Sequence, residues 1–206
     1  MRPAVFLDRD GVLNQLVPCG PQSLLVAPRA AVDFVLLPGV RLAVGRLRRS
    51  KFLVVVVTNQ PEIARGRLAP SELERMHRIL RAHVPVDAIY VCPHDDANGC
   101  DCRKPRPGLL HRAAGDWPIA LEDSFLVGDS WRDIEAGRAA GCRTILLAPA
   151  NPASDSFGAD FSAPNLSAAA YFILQPLRTR TVHPGGISAA PRKSALSRGA
   201  QCRSSE

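Results

Sequence analysis

The sequence predicts an α/β fold, a three-layer sandwich in which a parallel sheet lies between helices. Short continuous apolar runs of β-forming residues recur along the chain, and segments with apolar residues at helical spacing separate them. Runs that are continuous rather than alternating belong to strands covered on both faces, and strands that alternate with helices build βαβ units. The length, 206 residues with 46% hydrophobic side chains, suffices for one domain with a substantial core.

The elements follow in order. Ala4 to Leu7 is the first strand, and Asp8-Arg9-Asp10-Gly11 comes directly after it. After a Pro-Gly start, Val40 to Arg49 places Leu42, Ala43, Val44 and Leu47 at helical intervals. Phe52 to Val57 is the second strand and ends in Thr58-Asn59-Gln60. Ser71 to His83 reads as a helix, with Ser71 and Glu74 in a capping-box pattern and Leu73, Met76, Ile79 and Leu80 along one face. Ala88 to Val91, Ser124 to Val127 and Thr144 to Leu147 are three further strands. Between the last two, Ile134, Ala136, Ala139 and Ala140 mark a helix that Gly141 stops. Pro164 and Asn165 lead into a final helix ending near Leu174. Residues 1–175 are thus the expected folded domain. Residues 176–206 are rich in Pro, Gly, Ser and Arg, bury too little apolar surface to offset the entropy of ordering, and are expected to form a disordered tail.

The formal net charge of +7 invites a nucleic-acid reading until it is located along the chain. Arg178, Arg180, Arg192, Lys193, Arg198 and Arg203 face Glu206 alone, so +5 of it lies beyond residue 176 and only +2 in the domain. With 5% aromatic residues and no interleaving of aromatic and basic side chains, nothing resembles a base-stacking surface. No apolar run approaches the roughly 18–20 residues of a membrane span, and no secretory signal precedes the first strand. Three of the six cysteines cluster with a histidine instead of spreading as a disulfide framework. The expectation is a cytoplasmic monomer whose partner is neither a membrane nor a nucleic acid.

Ligands of open α/β sheets bind at the carboxyl ends of the strands, so the residues after each apolar run are the candidates. Asp8 and Asp10 suit a nucleophile and a neighbouring acid/base, with Gly11 letting the chain turn; alone, the pair is equally a strand end satisfying loop amides. Thr58 and the amides after it can hold phosphoryl oxygens or make ordinary turns. Asp129 lies at another strand tip with Asp133 one helical turn later, either as a metal site or as a helix cap with a first-turn carboxylate. Together, carboxylates from two strand tips, Asp8 and Asp129, suit a hard Mg²⁺ beside a phosphate. Cys92, His94, Cys100 and Cys102 have the Cys-x-His-x5-Cys-x-Cys spacing of a closed tetrahedral Zn²⁺ site, structural rather than catalytic, in a loop that runs into Arg103 and Lys104.

With the Asp-Arg-Asp-Gly-Val-Leu-Asn segment, Thr58, Arg103-Lys104-Pro105 and the Gly128-Asp129 to Asp133 segment, residues 3–175 resemble the haloacid dehalogenase (HAD) superfamily of phosphohydrolases. The resemblance implies a HAD-like Rossmannoid sheet without a large cap domain. It implies that Asp8 is the nucleophile, Asp10 the acid/base, and Thr58 and Lys104 the phosphoryl stabilisers, with Mg²⁺ on Asp8, Asp129 and the Asp10 carbonyl. The zinc loop running into Cys-Arg-Lys-Pro is similar to one branch, the heptose 1,7-bisphosphate phosphatases and the histidinol-phosphate phosphatases. That branch implies substrate contacts for Asn59, Arg103 and Ser130. Thr58-Asn59-Gln60 with Ile63-Ala64-Arg65-Gly66, and Leu36-Leu37-Pro38-Gly39-Val40, are closer to the heptose enzymes. Pro61-Glu62 stands where those enzymes carry Ser-Gly, and it is expected to put a negative charge near an anionic ligand. The alternatives are a phosphatase of histidinol phosphate or another small sugar phosphate, a polynucleotide 3′-phosphatase, and a non-catalytic zinc-stapled binding protein.

Overall fold

A computed structural model describes residues 1–20, 22–148 and 156–175. Its centre is a six-stranded parallel sheet in the order β5-β4-β1-β6-β7-β8. The strands are β1 (Ala4–Leu7), β4 (Leu53–Asn59), β5 (Ala88–Cys92), β6 (Phe125–Gly128), β7 (Arg143–Leu147) and β8 (Phe161–Ala163). A separate antiparallel hairpin, β2 (Val17–Cys19) and β3 (Leu24–Val26), rises from the loop after β1. Among the described residues this hairpin is what stands in place of a cap domain.

The continuous apolar runs have the predicted cause: β1 is buried throughout, and β4 is buried from Leu53 to Thr58. Successive side chains alternate between the two faces of a strand. Val5, Leu7, Val54, Val56, Val127 and Ile145 accordingly enter one core, beneath α1 (Val40–Arg49), α2 (Pro70–His83) and α5 (Leu166–Leu174). Ala4, Phe6, Val55, Val57 and Leu126 enter the other, beneath α3 (Gly108–Asp116) and α4 (Trp131–Ala139). These are the three predicted layers.

Several local expectations shift. In α1 the buried stripe is Val40, Ala43, Val44 and Leu47, spaced i, i+3, i+4, i+7, and Leu42 is 67% exposed. The Ser71–Glu74 capping box does not form: α2 starts one residue earlier, with Ala69 at the N-cap and Pro70 inside the first turn, where its missing N–H costs nothing. On α2 His77 joins Leu73, Met76 and Leu80 in the buried face, and Ile79 lies at its margin. Asn165 caps α5 as its sequence position suggests, accepting from the Ala168 N–H at 3.0 Å. Three elements were not expected: the hairpin, whose strands are three residues each; α3, which packs Leu109, Leu110 and Ala113 on the sheet; and the three-residue edge strand β8. The expected tail, 176–206, lies outside the described residues.

The strand order positions the site. From β1 the chain builds outward to β4 and β5 and then returns to place β6 on the opposite side of β1. At such a reversal the connections leave in opposite directions and open a crevice at the carboxyl ends of the strands.

Candidate active site

Three strand ends and one loop meet in that crevice. Asp8 follows β1, its N–H donating to the Val127 carbonyl of β6 at 3.0 Å. Lys104 arrives from the loop after β5, 2% exposed, and its ammonium donates to Asp8 Oδ1 (2.7 Å), Asp133 Oδ1 (2.6 Å) and the Val57 carbonyl (2.8 Å). The Lys104 backbone is pinned by the Asn59 side chain, which donates to its carbonyl at 3.0 Å and accepts from its N–H at 3.1 Å. Asp133 is buried in the first turn of α4 and also accepts from the Ser130 hydroxyl (2.6 Å) and the Ser130 N–H (3.2 Å).

Carboxylate oxygens of Asp8, Asp129 and Asp133 lie within 4.8 Å of one another. Burial, reinforced by Asp133, Asp10 and Asp129, raises the Asp8 carboxyl to about 8, with Lys104 pulling the other way. Burial and Asp133 likewise push Asp129 up to about 6. Burial works against the Lys104 ammonium, but Asp133 and Asp8 outweigh it and raise its pKa, so the lysine stays charged. One ammonium among these carboxylates leaves uncompensated negative charge on hard oxygen donors, which fits a divalent cation such as Mg²⁺. The backbone also makes room for the Asp129 carboxylate: Gly11 has φ +82°, and a Cβ there would lie 1.9 Å from Asp129 Oδ2.

Asp10 faces a different set of partners. Its carboxylate accepts from Arg9 Nε (3.2 Å) and Nη2 (2.9 and 3.0 Å), Asn14 Nδ2 (3.0 Å) and Gln60 Nε2 (2.8 Å). Gln60 Nε2 also donates to Thr58 Oγ1 at 2.9 Å, and Thr58 is fully buried.

Asp8, Asp10, Lys104 and Asp129 line a cavity of about 460 Å³, together with Asn59, Arg103 and Ser130. Thr58 lies behind Gln60, outside that lining. Arg29, Arg65 and Arg132 also line the cavity, and Arg103 is held there by Asp96 (Nε to Oδ1, 2.8 Å). Glu62 lies among these arginines, pairing with Arg29 (2.7 Å), Arg65 (2.9 Å) and Arg67 (3.7 Å). The expected isolated negative charge is therefore neutralised, and Glu62 gathers basic side chains toward the cavity.

Beside Lys104, the side chains of Cys92, His94, Cys100 and Cys102 converge. Their separations are 3.7 Å for Cys92 to His94 Nδ1, 3.7 Å for Cys92 to Cys100, 3.3 Å for His94 Nδ1 to Cys102 and 3.4 Å for Cys100 to Cys102. A tetrahedral zinc bound at ordinary Zn–S and Zn–N lengths separates its ligands by about 3.5–3.8 Å, close to these values.

Residues 101–167 match the family model described as HAD-hydrolase-like. Over 148 residues, 69% of this chain and 81% of the relative, the sequence is 40% identical to the D-glycero-β-D-manno-heptose-1,7-bisphosphate 7-phosphatase of Pseudomonas putida. It is 38% identical to the Bordetella bronchiseptica enzyme of the same name over 71% of this chain and 81% of that one. The fold also matches a crystal structure of D,D-heptose 1,7-bisphosphate phosphatase from B. bronchiseptica complexed with magnesium and phosphate, with TM-score 0.68 and 32% identity, covering 84% of this chain and 98% of that one. The chain belongs to the HAD superfamily and, within it, to the family of these heptose bisphosphate phosphatases. It is a phosphatase.

Sequence reasoning named most of what the crevice holds and missed the roles of Arg9, Asn14, His77 and Arg29 and the pairing of Glu62; Gln60, read as an amide for phosphoryl oxygens, donates to Asp10 and Thr58. Arg9 carried one readable signal: a cation between two carboxylates beside a buried strand requires a buried partner.

Proposed function

We propose that this chain removes the 7-phosphate of D-glycero-β-D-manno-heptose 1,7-bisphosphate in a Mg²⁺-dependent reaction through an aspartyl-phosphate on Asp8. The observation that carries this reading is the Lys104 ammonium shared by Asp8 and Asp133 at the base of a cavity lined by arginines. A phosphoryl group fits the base and a second anionic group fits the arginines. The 40% identity to a heptose bisphosphate phosphatase supports the same substrate.

The residues act as follows. Asp8 Oδ attacks phosphorus in line, the bond to the sugar oxygen breaks, and Asp10 gives that oxygen its proton. Asp10, now a carboxylate, takes a proton from the water that hydrolyses the aspartyl-phosphate, releasing phosphate and regenerating Asp8. Lys104 neutralises phosphoryl oxygens, and Thr58, whose Oγ1 accepts from the Gln60 amide, donates its hydroxyl hydrogen to one of them. Mg²⁺ would be held by Asp8, Asp129 and the Asp10 carbonyl and would there screen the repulsion between phosphate and carboxylate. Asn59 holds the Lys104 backbone and, with Arg103 and Ser130, meets the substrate.

Cys92, His94, Cys100 and Cys102 would hold a structural Zn²⁺, which would keep rigid the loop delivering Arg103 and Lys104. These reduced thiols suit the cytoplasm. The working unit is a monomer, with residues 1–175 as its catalytic domain and 176–206 as an appended tail.

The test is phosphate release from the heptose bisphosphate, histidinol phosphate and a panel of sugar monophosphates. The bisphosphate is expected to give the highest kcat/KM, and Asp8→Asn to abolish turnover with the fold intact. Preference for histidinol phosphate would overturn the substrate, and an active Asp8→Asn the nucleophile.

A further inference from the structure

Arg9 is fully buried, an expensive place for a guanidinium unless its charge is matched and its donors are used. Neighbouring residues of a straight strand point to opposite faces, but the chain leaves β1 at Leu7 and turns at Gly11, so Arg9 and Asp10 fold toward each other. The result is a clamp of three contacts between 2.9 and 3.2 Å on the two oxygens of Asp10. Two further features hold the guanidinium itself: its Cζ lies 5.5 Å from the centre of the Phe34 ring, and Nη1 is 3.4 Å from His77 Nε2.

We propose that Arg9, braced by His77 and Phe34, is a positioning residue that sets the Asp10 carboxyl in line for its two proton transfers. The inference rests on the acid–base role assigned to Asp10 above. His77 suits the task because burial and the nearby Arg9 and Arg81 lower its pKa to about 4, so it stays neutral and offers Nε2 as an acceptor. Asn14 and Gln60 share the work from the other side of the carboxylate, but each through one N–H. Arg9 alone grips both oxygens, and only such a grip fixes the plane of the group as well as its place.

The experiment separates positioning from simple stability through the leaving group. p-Nitrophenolate departs without a proton, whereas the alkoxide of glycerol 2-phosphate needs one. Arg9→Met, Arg9→Lys and Asp10→Asn are prepared in the full chain, and their melting temperatures are measured first. Arg9→Met is expected to lower kcat on glycerol 2-phosphate about 30–100-fold, a partial loss of the roughly 100-fold or more that general acid–base catalysis contributes, with KM changed by less than about twofold. The pre-steady-state burst of p-nitrophenolate should stay within about threefold of the parent rate. Arg9→Lys keeps the charge without the planar fork and should fall between, at about tenfold.

Equal losses on both esters in Arg9→Met, with leaving-group-dependent loss in Asp10→Asn, would overturn the positioning role and leave the Asp10 assignment standing. Equal losses in Asp10→Asn would overturn that assignment, and this inference with it. Should Arg9→Met fail to fold, Arg9→Lys decides, and a parental rate on the alkyl ester would overturn the proposal.

Discussion

Replacing Gly11 with alanine tests how closely the backbone is fitted to the carboxylate site. Two costs apply. At φ +82° an L-residue is strained by roughly 1–2 kcal/mol. The new Cβ would also lie 1.9 Å from Asp129 Oδ2 and 2.8 Å from its Cγ, so the carboxylate proposed to hold Mg²⁺ must move. Gly141, just past α4, isolates the first cost: its φ is +79°, and nothing lies within 4 Å of its virtual Cβ. Gly141→Ala should therefore lower the melting temperature by about 2–8 °C, the shift expected for 1–2 kcal/mol in a chain of this size, and leave Mg²⁺ activation unchanged. Gly11→Ala should show at least that thermal loss and, in addition, raise the Mg²⁺ concentration for half-maximal phosphatase activity about tenfold or more, because one ligand is displaced. Thermal melts with and without Mg²⁺, paired with Mg²⁺ titrations of activity, read both effects. Matching Mg²⁺ curves for the two variants and the parent would refute the argument that Gly11 makes room for Asp129.

Three other perturbations follow from the same geometry. Glu62→Gln releases Arg29, Arg65 and Arg67; three partly exposed pairs are together worth about 1 kcal/mol, so KM for the bisphosphate should rise about threefold to tenfold with kcat on a monophosphate unchanged, and a fall in KM would show that Glu62 repels substrate instead. Cys102→Ser should remove the zinc read by elemental analysis, nominally one per chain, and depress activity with Asp8 intact; full activity without zinc would refute the claim that the loop positions Lys104. His77 has its pKa lowered from 6.5 to about 4, so the folded state resists the proton that the unfolded chain accepts. Its contribution is complete above about pH 6.5 and fades as pH falls toward 4, amounting to about 2 kcal/mol between pH 7 and 5. Denaturation of His77→Gln over that window should lack this part of the parent's slope, and an unchanged slope would refute the assignment.

Much of the fold was legible because it is local. The apolar runs of β1 and β4, the Ala43, Val44 and Leu47 part of the α1 face and the glycine stop after α4 are each contained within one element. The cluster of Cys92, His94, Cys100 and Cys102 was legible for a similar reason: all four lie within eleven residues of one loop. The capping box was misread because Ser71 and Glu74 carry the right letters while Pro70, one residue earlier, takes the first helical turn. The hairpin went unread because its strands are three residues each, and the short apolar stretch Leu24-Leu25-Val26 is not buried as the sheet strands are.

The catalytic candidates divide along the same line. Asp8, Asp10 and Asp129 follow apolar strands, and strand ends are legible wherever strands are. Lys104 meets Asp8 across 96 positions of sequence and Asp133 across 29, and Arg9 meets His77 across 68. Those meetings depend on the order β5-β4-β1-β6, which brings the ends of β1, β4 and β6 together at a crevice. Hydrophobic pattern identifies a strand as buried but is nearly blind to which buried strand is its neighbour, because any two apolar edges pair with similar backbone hydrogen bonds. The residue types for phosphoryl chemistry were therefore written in the chain, while the bridging of two carboxylates by Lys104, the grip of Arg9 on Asp10 and the neutralisation of Glu62 by arginines came from long-range packing, since a buried charge takes whichever partner the folded strands bring within reach.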